Sequence, residues 1–424
     1  MHELVNAQKG GQTRFFGVLA LFSIITFSSL FLISRGVSSI RIIGFYILIG
    51  WAATLPVDDL LCLITVALPG SNIFKITGGF TVIPFLMVIY ILKTLSRNRW
   101  KINANAAKPL LWIIVSLFIS ISTAIIHHFS LGDIIPFYLH MIFIVFAHGI
   151  NNAYLEDRYS KLAICFITGT LMVCLGTAIF PSVSRSISNI GVYARSNAGF
   201  SSVWDFGRSL SISIAFVLVD VLKHRNKLVL NSLLSLILIY YLIQCGRFSM
   251  LLGLGALLIC IPFAYGGEKP VRIRIMYSIF TLFITGILGF LVFRYVYSSM
   301  IELRGTGASD NGRFEIWGIY IQYLLKNPSI ALFGSGGGTI SSVASLLGTV
   351  TAHNIVIEKL VEFGIVGFIV LTIAFRKLYR GCTLSITKNV NILPLVTFLA
   401  TAMTQGTTGN ASFALLLAIC VKEL

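Results

Sequence analysis

The sequence predicts an all-α protein, a polytopic transmembrane helical bundle of about 12–14 spans. Its composition is the first reason: of 424 residues, 56% are hydrophobic and only 11% are charged, and the mean hydropathy is +0.90. The second reason is that the apolar residues recur in runs suited to crossing about 30 Å of hydrocarbon. We therefore expect residues 1–424 to form a single integral membrane domain.

The predicted spans follow one another along most of the chain. Near the start, Pro56, Asp58 and Asp59 interrupt the apolar pattern, which predicts either two short helices or one broken element. The apolar runs lie near 15–34, 42–55, 57–69, 78–94, 108–126, 133–150, 162–180, 209–222, 228–244, 248–266, 276–294, 360–375, 391–403 and 410–421.

Basic clusters predict which side of the membrane each span end faces. The four clusters lie at 93–101, 223–227, 268–274 and 376–380. The spans place all four on one side, which the positive-inside rule makes cytoplasmic. We attribute the net charge of +17 to contact with membrane lipids, and expect no nucleic-acid partner. The opposite side receives two long loops, about 181–208 and 295–354.

The two long loops and the span ends beside them contain arginine, although outer loops are expected to be poor in positive charge. Planar guanidinium groups bind phosphate oxygens in pairs, so this pattern favours a phosphate-bearing ligand at the outer leaflet. Alternatively, the arginines pair with acids such as Asp205 and Glu315, or extend to lipid headgroups. These arginines are Arg185, Arg195, Arg208, Arg247, Arg294, Arg304 and Arg313.

The second long loop also contains a glycine-rich stretch, "FGSGGGTISS" at 333–342. It is not a nucleotide-binding P-loop, because no Gly-Lys-Ser/Thr follows the glycines. Two interpretations remain open. Backbone amides in a flexible turn of this kind can contact an anion, or the stretch is only a hinge.

The stretch "TAHNIVIEKLVEFGIVG" at 351–367 predicts a helix whose beginning is polar. Helical spacing would place His353, Leu360, Gly364 and Gly367 on one stripe, where the glycines let another helix approach. His353 then lies at the outer boundary as a base that accepts a proton near neutral pH. The alternative is a histidine that only caps or packs.

These residues resemble a known family. His353-Asn354 followed by nine residues and Gly364-x-x-Gly367 is similar to the H-N-x9-G-x-x-G signature of the bacterial O-antigen polymerase and O-antigen ligase superfamily. The upstream stretches "NGRFEIW" (311–317) and "NPSIALFGSGGG" (327–338) resemble the run that precedes this histidine in the family. "CGRFSMLLGLGALL" (245–258) and "YARSNAGF" (193–200) resemble its other arginine-bearing stretches. The resemblance covers about 190–376.

The resemblance implies a glycosyltransferase of the bacterial inner membrane, with its active site facing the periplasm. Such proteins transfer a glycan from undecaprenyl diphosphate and need no nucleotide sugar, metal or cofactor. We favour an O-antigen polymerase, which joins lipid-linked oligosaccharide repeat units and has a chain-length regulator protein as a further partner. The alternative is an O-antigen ligase, which transfers polymer to lipid A-core.

By the same resemblance, site roles fall on particular residues of this sequence. Arg195 and Arg247 bind the diphosphate and stabilise the charge that develops on it, and His353 is the base. Asn354 holds His353; independently of the resemblance, Glu358 is a candidate to orient it. Arg304 and Arg313 bind diphosphate or glycan, and Arg208 belongs to the same substrate-binding set.

A transporter of lipid-linked glycan is the alternative from another class. It predicts ionisable residues along a path through the spans. Few such residues occur, and Asp58 and Asp59, in one broken segment, are the most notable. We interpret this pair as a break between two short helices.

Overall fold

The described part of the chain is almost entirely helical, as predicted. The computed structural model describes residues 2–74, 76, 81–152, 155–180, 203–224, 227–245, 248–265, 313–383, 389–403 and 411–423, with parts of 270–287. Apart from short 3₁₀ turns, one π-helix and one pair of two-residue strands, the described elements are α-helices. The strands, Cys382–Thr383 and Lys422–Glu423, pair antiparallel.

We number the described α-helices in chain order. They are α1 (His2–Ser34), α2 (Ile40–Thr54), α3 (Val57–Ala67), α4 (Val82–Arg97), α5 (Ala104–Ile126), α6 (Leu131–Ile144), α7 (Glu156–Ile179), α8 (Val203–Lys223), α9 (Leu228–Cys245), α10 (Phe248–Tyr265), α11 (Arg313–Lys326), α12 (Pro328–Phe333), α13 (Ile340–Leu346), α14 (Ile355–Leu378), α15 (Leu393–Ala402) and α16 (Ala411–Cys420).

Three helices in the described part of the chain are long and apolar enough to cross a membrane. They comprise Gln12–Ser34 of α1, α5 and α7. Six further apolar helical stretches of 10–17 residues are shorter than a full span. These helices are typical of a membrane protein, which agrees with the class that the composition predicts.

The chain divides into two compact units. The first contains α1–α4 and α7–α9, and the second contains α5, α6, α10–α16 and the strand pair. In the first unit, α3 packs closely on α7 because Gly169 has no side chain. A Cβ at Gly169 would lie 2.2 Å from the Val66 carbonyl oxygen.

The predicted break near Pro56 is confirmed. Helix α2 ends at Thr54, and Pro56 is the residue before α3. Asp58, in the first turn of α3, pairs with Arg97 at 3.6 Å and Arg158 at 3.1 Å. These pairs join the start of α3 to the end of α4 and the start of α7. The predicted spans put those three helix ends on one side of the membrane.

The second unit contains the described part of the second long loop, which is folded rather than extended. Helices α11, α12 and α13 build a small apolar core of their own beside α14, and α14 packs along α5. The buried residues of this core are Tyr320, Leu324, Ile330, Ile340, Val343, Ala344, Ala352 and Val361. This core supports the segment that contains His353.

Candidate functional site

His353 lies just before helix α14, not on it. The helix begins at Ile355 with Asn354 as its N-cap, and His353 has a φ of 51°. The predicted stripe through His353 and Gly364 is therefore wrong, because the chain turns sharply before the first helical residue. A positive φ is uncommon for any residue other than glycine, although histidine adopts it more readily than most. Such strain persists only where the surroundings hold it.

The side chain of Asn354 caps the helix. Its Oδ1 accepts hydrogen bonds from the backbone N–H groups of Val356 at 2.9 Å and Ile357 at 3.2 Å. This satisfies two of the donors that a helix start leaves without partners. The sequence predicted that Asn354 holds the histidine. The structure instead uses its oxygen in the cap, which fixes where α14 begins and so where His353 stands.

Glu358 holds the backbone of His353. The His353 N–H donates to Glu358 Oε1 at 3.1 Å, and Glu358 is only 1% exposed. The arrangement resembles a capping box, in which an acid one turn into the helix reaches back to an N–H before it. Glu358 thus contacts the main chain of His353, and its predicted role in orienting the imidazole stays a prediction. The ring itself is half-buried, and its Nδ1 lies 3.4 Å from Thr351 Oγ1.

Helix α11 holds the other side of the same segment. Trp317 Nε1 donates to the Ala352 carbonyl at 2.8 Å, and Tyr320 Oη donates to the Val350 carbonyl at 3.0 Å. Burial, and then the negative charge of Glu358, raise the pKa of Tyr320 above its ordinary value. The phenol therefore stays protonated and remains a donor. We call residues 350–353 the histidine segment. It is held at three backbone points, none of which uses the imidazole.

A break inside α14 joins this helix to the glycine-rich stretch. Gly364 has φ 56° and ψ −172°, which interrupts the helix. The Val361 and Glu362 carbonyls accept instead from the backbone N–H groups of Ser335 and Gly336, both at 2.9 Å. We call 334–337 with 361–364 the glycine clasp.

Glycine is required in the clasp because the two backbones touch. A Cβ at Gly334 would lie 2.2 Å from the Glu362 carbonyl oxygen, and Gly334 also has a φ of 79°. A Cβ at Gly364 would lie 2.5 Å from the Gly334 nitrogen. The predicted close approach at Gly364 is confirmed, although its partner is the end of α12 rather than a long helix. At Gly367 the nearest atoms belong to Phe363 of the same helix.

The amides of residues 334–337 are already used within the protein, which excludes the anion interpretation for these four groups. Ser335 and Gly336 donate to α14, Gly334 donates to the Ile330 carbonyl, and Gly337 donates to Ser120 Oγ at 3.2 Å. Ser120 Oγ also lies 2.7 Å from Tyr138 Oη. The stretch is therefore anchored to both α14 and α5.

A buried ion pair lies beside the clasp. Lys359 Nζ bonds Glu362 Oε2, and Glu362 is fully buried. The ammonium also lies 5.0 Å from the Phe137 ring centroid, which adds a cation–π contact. The Ile340 N–H donates to the other oxygen of Glu362 at 3.4 Å. The pair thus ties α13 to α14 through a charge that is neutralised within the unit.

The structure places only some of the predicted arginines. Arg313 is the first residue of α11, one turn before Trp317 and therefore on the same face of that helix. Arg208 lies in the first unit, is 5% exposed and pairs with Asp205 at 3.6 Å. For Arg208 the structure therefore shows the ion pair with an acid that was the alternative to phosphate binding. Arg195, Arg247 and Arg304 lie outside the described residues, so their roles stay predictions.

Several residues that shape the site have no role predicted from the sequence. Trp317 belongs only to a motif there, and the others are Tyr320, Lys359 and Glu362. Two signals point to them. Trp317 and Tyr320 are three residues apart, which puts both on one helix face. Lys359 and Glu362 are two opposite charges in an apolar run, where such charges usually pair.

Comparison with known proteins adds no further assignment. No protein-family model, curated protein or solved structure matches the chain significantly. Among the described residues, no three His, Cys, Asp or Glu side chains are grouped so that they would hold a metal ion. The resemblance to O-antigen polymerases and ligases therefore stays a hypothesis that rests on the motif residues.

Proposed function

We propose that this chain is an O-antigen polymerase, a glycosyltransferase that uses a glycan carried on undecaprenyl diphosphate. The observation that carries the proposal is the histidine segment, in which three hydrogen bonds fix the main chain around His353. A general base needs a fixed position relative to its substrate. Here Trp317, Tyr320 and Glu358 supply the position through the backbone. The motif that contains His353 supplies the resemblance to the family.

The reaction is a single displacement at the anomeric carbon. The hydroxyl oxygen of the acceptor sugar bonds to that carbon, and the bond to the diphosphate oxygen breaks. His353 Nε2 takes the hydroxyl proton, with Nδ1 turned towards Thr351 Oγ1 at 3.4 Å. The lipid diphosphate leaves with the electron pair. Its developing charge is stabilised by guanidinium groups, for which Arg195 and Arg247 are the candidates.

Arg313 is the arginine that the described structure relates to the histidine segment. It shares a helix face with Trp317, whose indole holds Ala352. We assign it, together with Arg304, to the binding of diphosphate or glycan. Arg208 contributes less to this set, because Asp205 already neutralises it.

In this proposal the apolar helices form a polytopic bundle in the bacterial inner membrane. The basic clusters face the cytoplasm, and the histidine segment faces the periplasm. That orientation puts the site on the side where a lipid-linked repeat unit is presented after export. It also puts the folded outer segment, α11 to α13, in contact with water and glycan.

Deleting the gene and separating the surface polysaccharide on a gel tests this proposal. Lipid A-core that carries a single repeat unit is expected, because ligation continues when polymerisation stops. Bare core, with long polymer accumulating on undecaprenyl diphosphate, would assign the chain as the ligase instead. An unchanged ladder would contradict both glycosyl-transfer assignments and favour the transporter.

A further inference from the structure

A small cavity in the first unit carries charges of both signs. Its volume is about 110 Å³, and its lining includes Asp58 and Asp59 of α3 with Arg158 and Lys161 of α7. Asp58 is paired with Arg97 and Arg158. The ion pairs of the described residues include neither Asp59 nor Lys161. The cavity therefore presents one carboxylate and one ammonium that make no ion pair with each other.

The presence of both a carboxylate and an ammonium in the cavity favours one class of ligand. A simple anion would be repelled by Asp59, and a simple cation would be repelled by Lys161. A zwitterion satisfies both groups, because its phosphate accepts from Lys161 and its ammonium donates to Asp59. The positive charges of Arg14 and Lys161 and the negative charge of Asp58 all act on Asp59.

The position of the cavity indicates that the zwitterion is a lipid headgroup. Phe15, at the start of the apolar stretch Gln12–Ser34, lines it, and Arg158 and Lys161 lie in the first two turns of α7. Both helices are long enough to cross a membrane, so the cavity lies where two spans begin. That is the depth of the headgroups, and basic pockets between spans bind lipids there. The next residue, Phe16, is exposed and offers apolar surface to an acyl chain.

We propose that this cavity binds an aminophospholipid headgroup, with Asp59 receiving the primary ammonium and Lys161 the phosphate. The site is separate from the histidine segment and does not depend on the proposed glycosyl transfer. A primary ammonium has three N–H donors for Asp59, whereas a trimethylated ammonium has none. The cavity should therefore distinguish phosphatidylethanolamine from phosphatidylcholine as well as from phosphatidylglycerol.

Native mass spectrometry of the full chain in detergent tests the proposal by counting bound lipid. We expect phosphatidylethanolamine to bind about tenfold more tightly than phosphatidylcholine or phosphatidylglycerol, the effect of one charge-assisted contact. Asp59→Asn should abolish the preference over phosphatidylglycerol. Lys161→Gln should weaken all three lipids by a similar factor. Equal binding of the three lipids by the unsubstituted chain would overturn the proposal.

Two substitutions serve as matched controls. Asp157→Asn removes an exposed acid one turn before Lys161, and Lys101→Gln removes an exposed lysine, and neither residue lines the cavity. Both should keep the lipid preference, and losing it in the controls would show that net charge alone decides binding. Competition by soluble glycerophosphoethanolamine at equal concentration would assign the site to a free metabolite and overturn the lipid assignment. Failure to compete supports the lipid.

Discussion

The Asp58 ion pairs in the first unit and the histidine segment in the second are both polar regions of an apolar chain, but different bonds hold them. Asp58 pairs with Arg97 and with Arg158 through charged side-chain ends that are partly exposed. The histidine segment is held by side chains that reach its backbone, and Glu358 among them is buried. A region held by exposed charges loses little when one is neutralised. A region held through buried backbone bonds depends on each of them.

The largest effect is expected at the glycine clasp. Gly334→Ala puts a Cβ 2.2 Å from the Glu362 carbonyl oxygen and adds the strain of a positive φ. We expect roughly 3 kcal/mol or more of destabilisation, since backbone cannot move aside as a side chain does. Thermal unfolding in detergent and the yield of folded protein measure it.

Gly348→Ala is the matched control for that substitution. Gly348 also has a positive φ, of 61°, but no atom lies within 4 Å of the added Cβ. Only backbone strain of roughly 1 kcal/mol is expected there. Equal losses for the two variants would show that conformation, rather than contact between the clasp backbones, makes glycine necessary.

The next largest effect concerns the donor on Trp317. Trp317→Phe keeps an aromatic ring but removes the N–H that reaches the Ala352 carbonyl. An unpaired backbone carbonyl costs about 1–3 kcal/mol, and the histidine segment loses one of its fixed points. We expect polymer synthesis to fall further than the yield of folded protein. Trp100→Phe, at an exposed tryptophan, should change neither.

Two substitutions at Glu358 separate its two possible roles. Glu358→Gln keeps an oxygen for the His353 N–H and should retain most of the activity. Glu358→Ala removes the acceptor and should lose activity together with about 1–2 kcal/mol of stability. Polysaccharide ladders from both variants measure the difference. If Gln were as inactive as Ala, the negative charge would be acting on the imidazole, and the backbone role would be wrong.

The smallest effect is expected among the Asp58 ion pairs. Asp58→Asn removes both of its pairs, yet its side chain is 46% exposed and solvent screens the interaction. The expected loss in the free energy of unfolding is about 0–1 kcal/mol. Thermal unfolding of Asp58→Asn and Gly334→Ala, measured in parallel, compares exposed ion pairs with buried backbone contacts. A loss at Asp58 as large as that at Gly334 would contradict the expected contrast.

The sequence predicted the helical class and some contacts, because these features depend on residues that are close together in the sequence. Apolar runs and the break at Pro56 depend on neighbouring residues, so composition and proline chemistry were enough. The close approach of another backbone at Gly364 was predicted because small residues permit it. The partner, Gly334, was not predicted, since it lies thirty residues away in the sequence. The helical stripe through His353 was wrong because Asn354 is a strong N-cap, and a cap places the preceding residue outside the helix.

Asn354 and Glu358 show the limit of a motif. The sequence predicted that Asn354 holds the histidine and that Glu358 orients it, and the structure shows that both side chains accept from main-chain N–H groups. A motif states which residue types recur together, but not which atoms they contact. The roles of Arg195, Arg247 and Arg304 remain predictions of that kind, because they lie outside the described residues.

The central claim is that His353 acts through its ring while its surroundings hold its backbone. The most direct test compares His353→Asn with His128→Asn in a strain that lacks the chromosomal gene. Both histidines have positive φ, 51° and 58°, and asparagine tolerates that conformation. We predict that His353→Asn folds normally but loses polymer by about 100-fold or more, the contribution of a general base, while His128→Asn keeps the ladder. An unchanged ladder with His353→Asn, or equal loss in both variants, would contradict the claim.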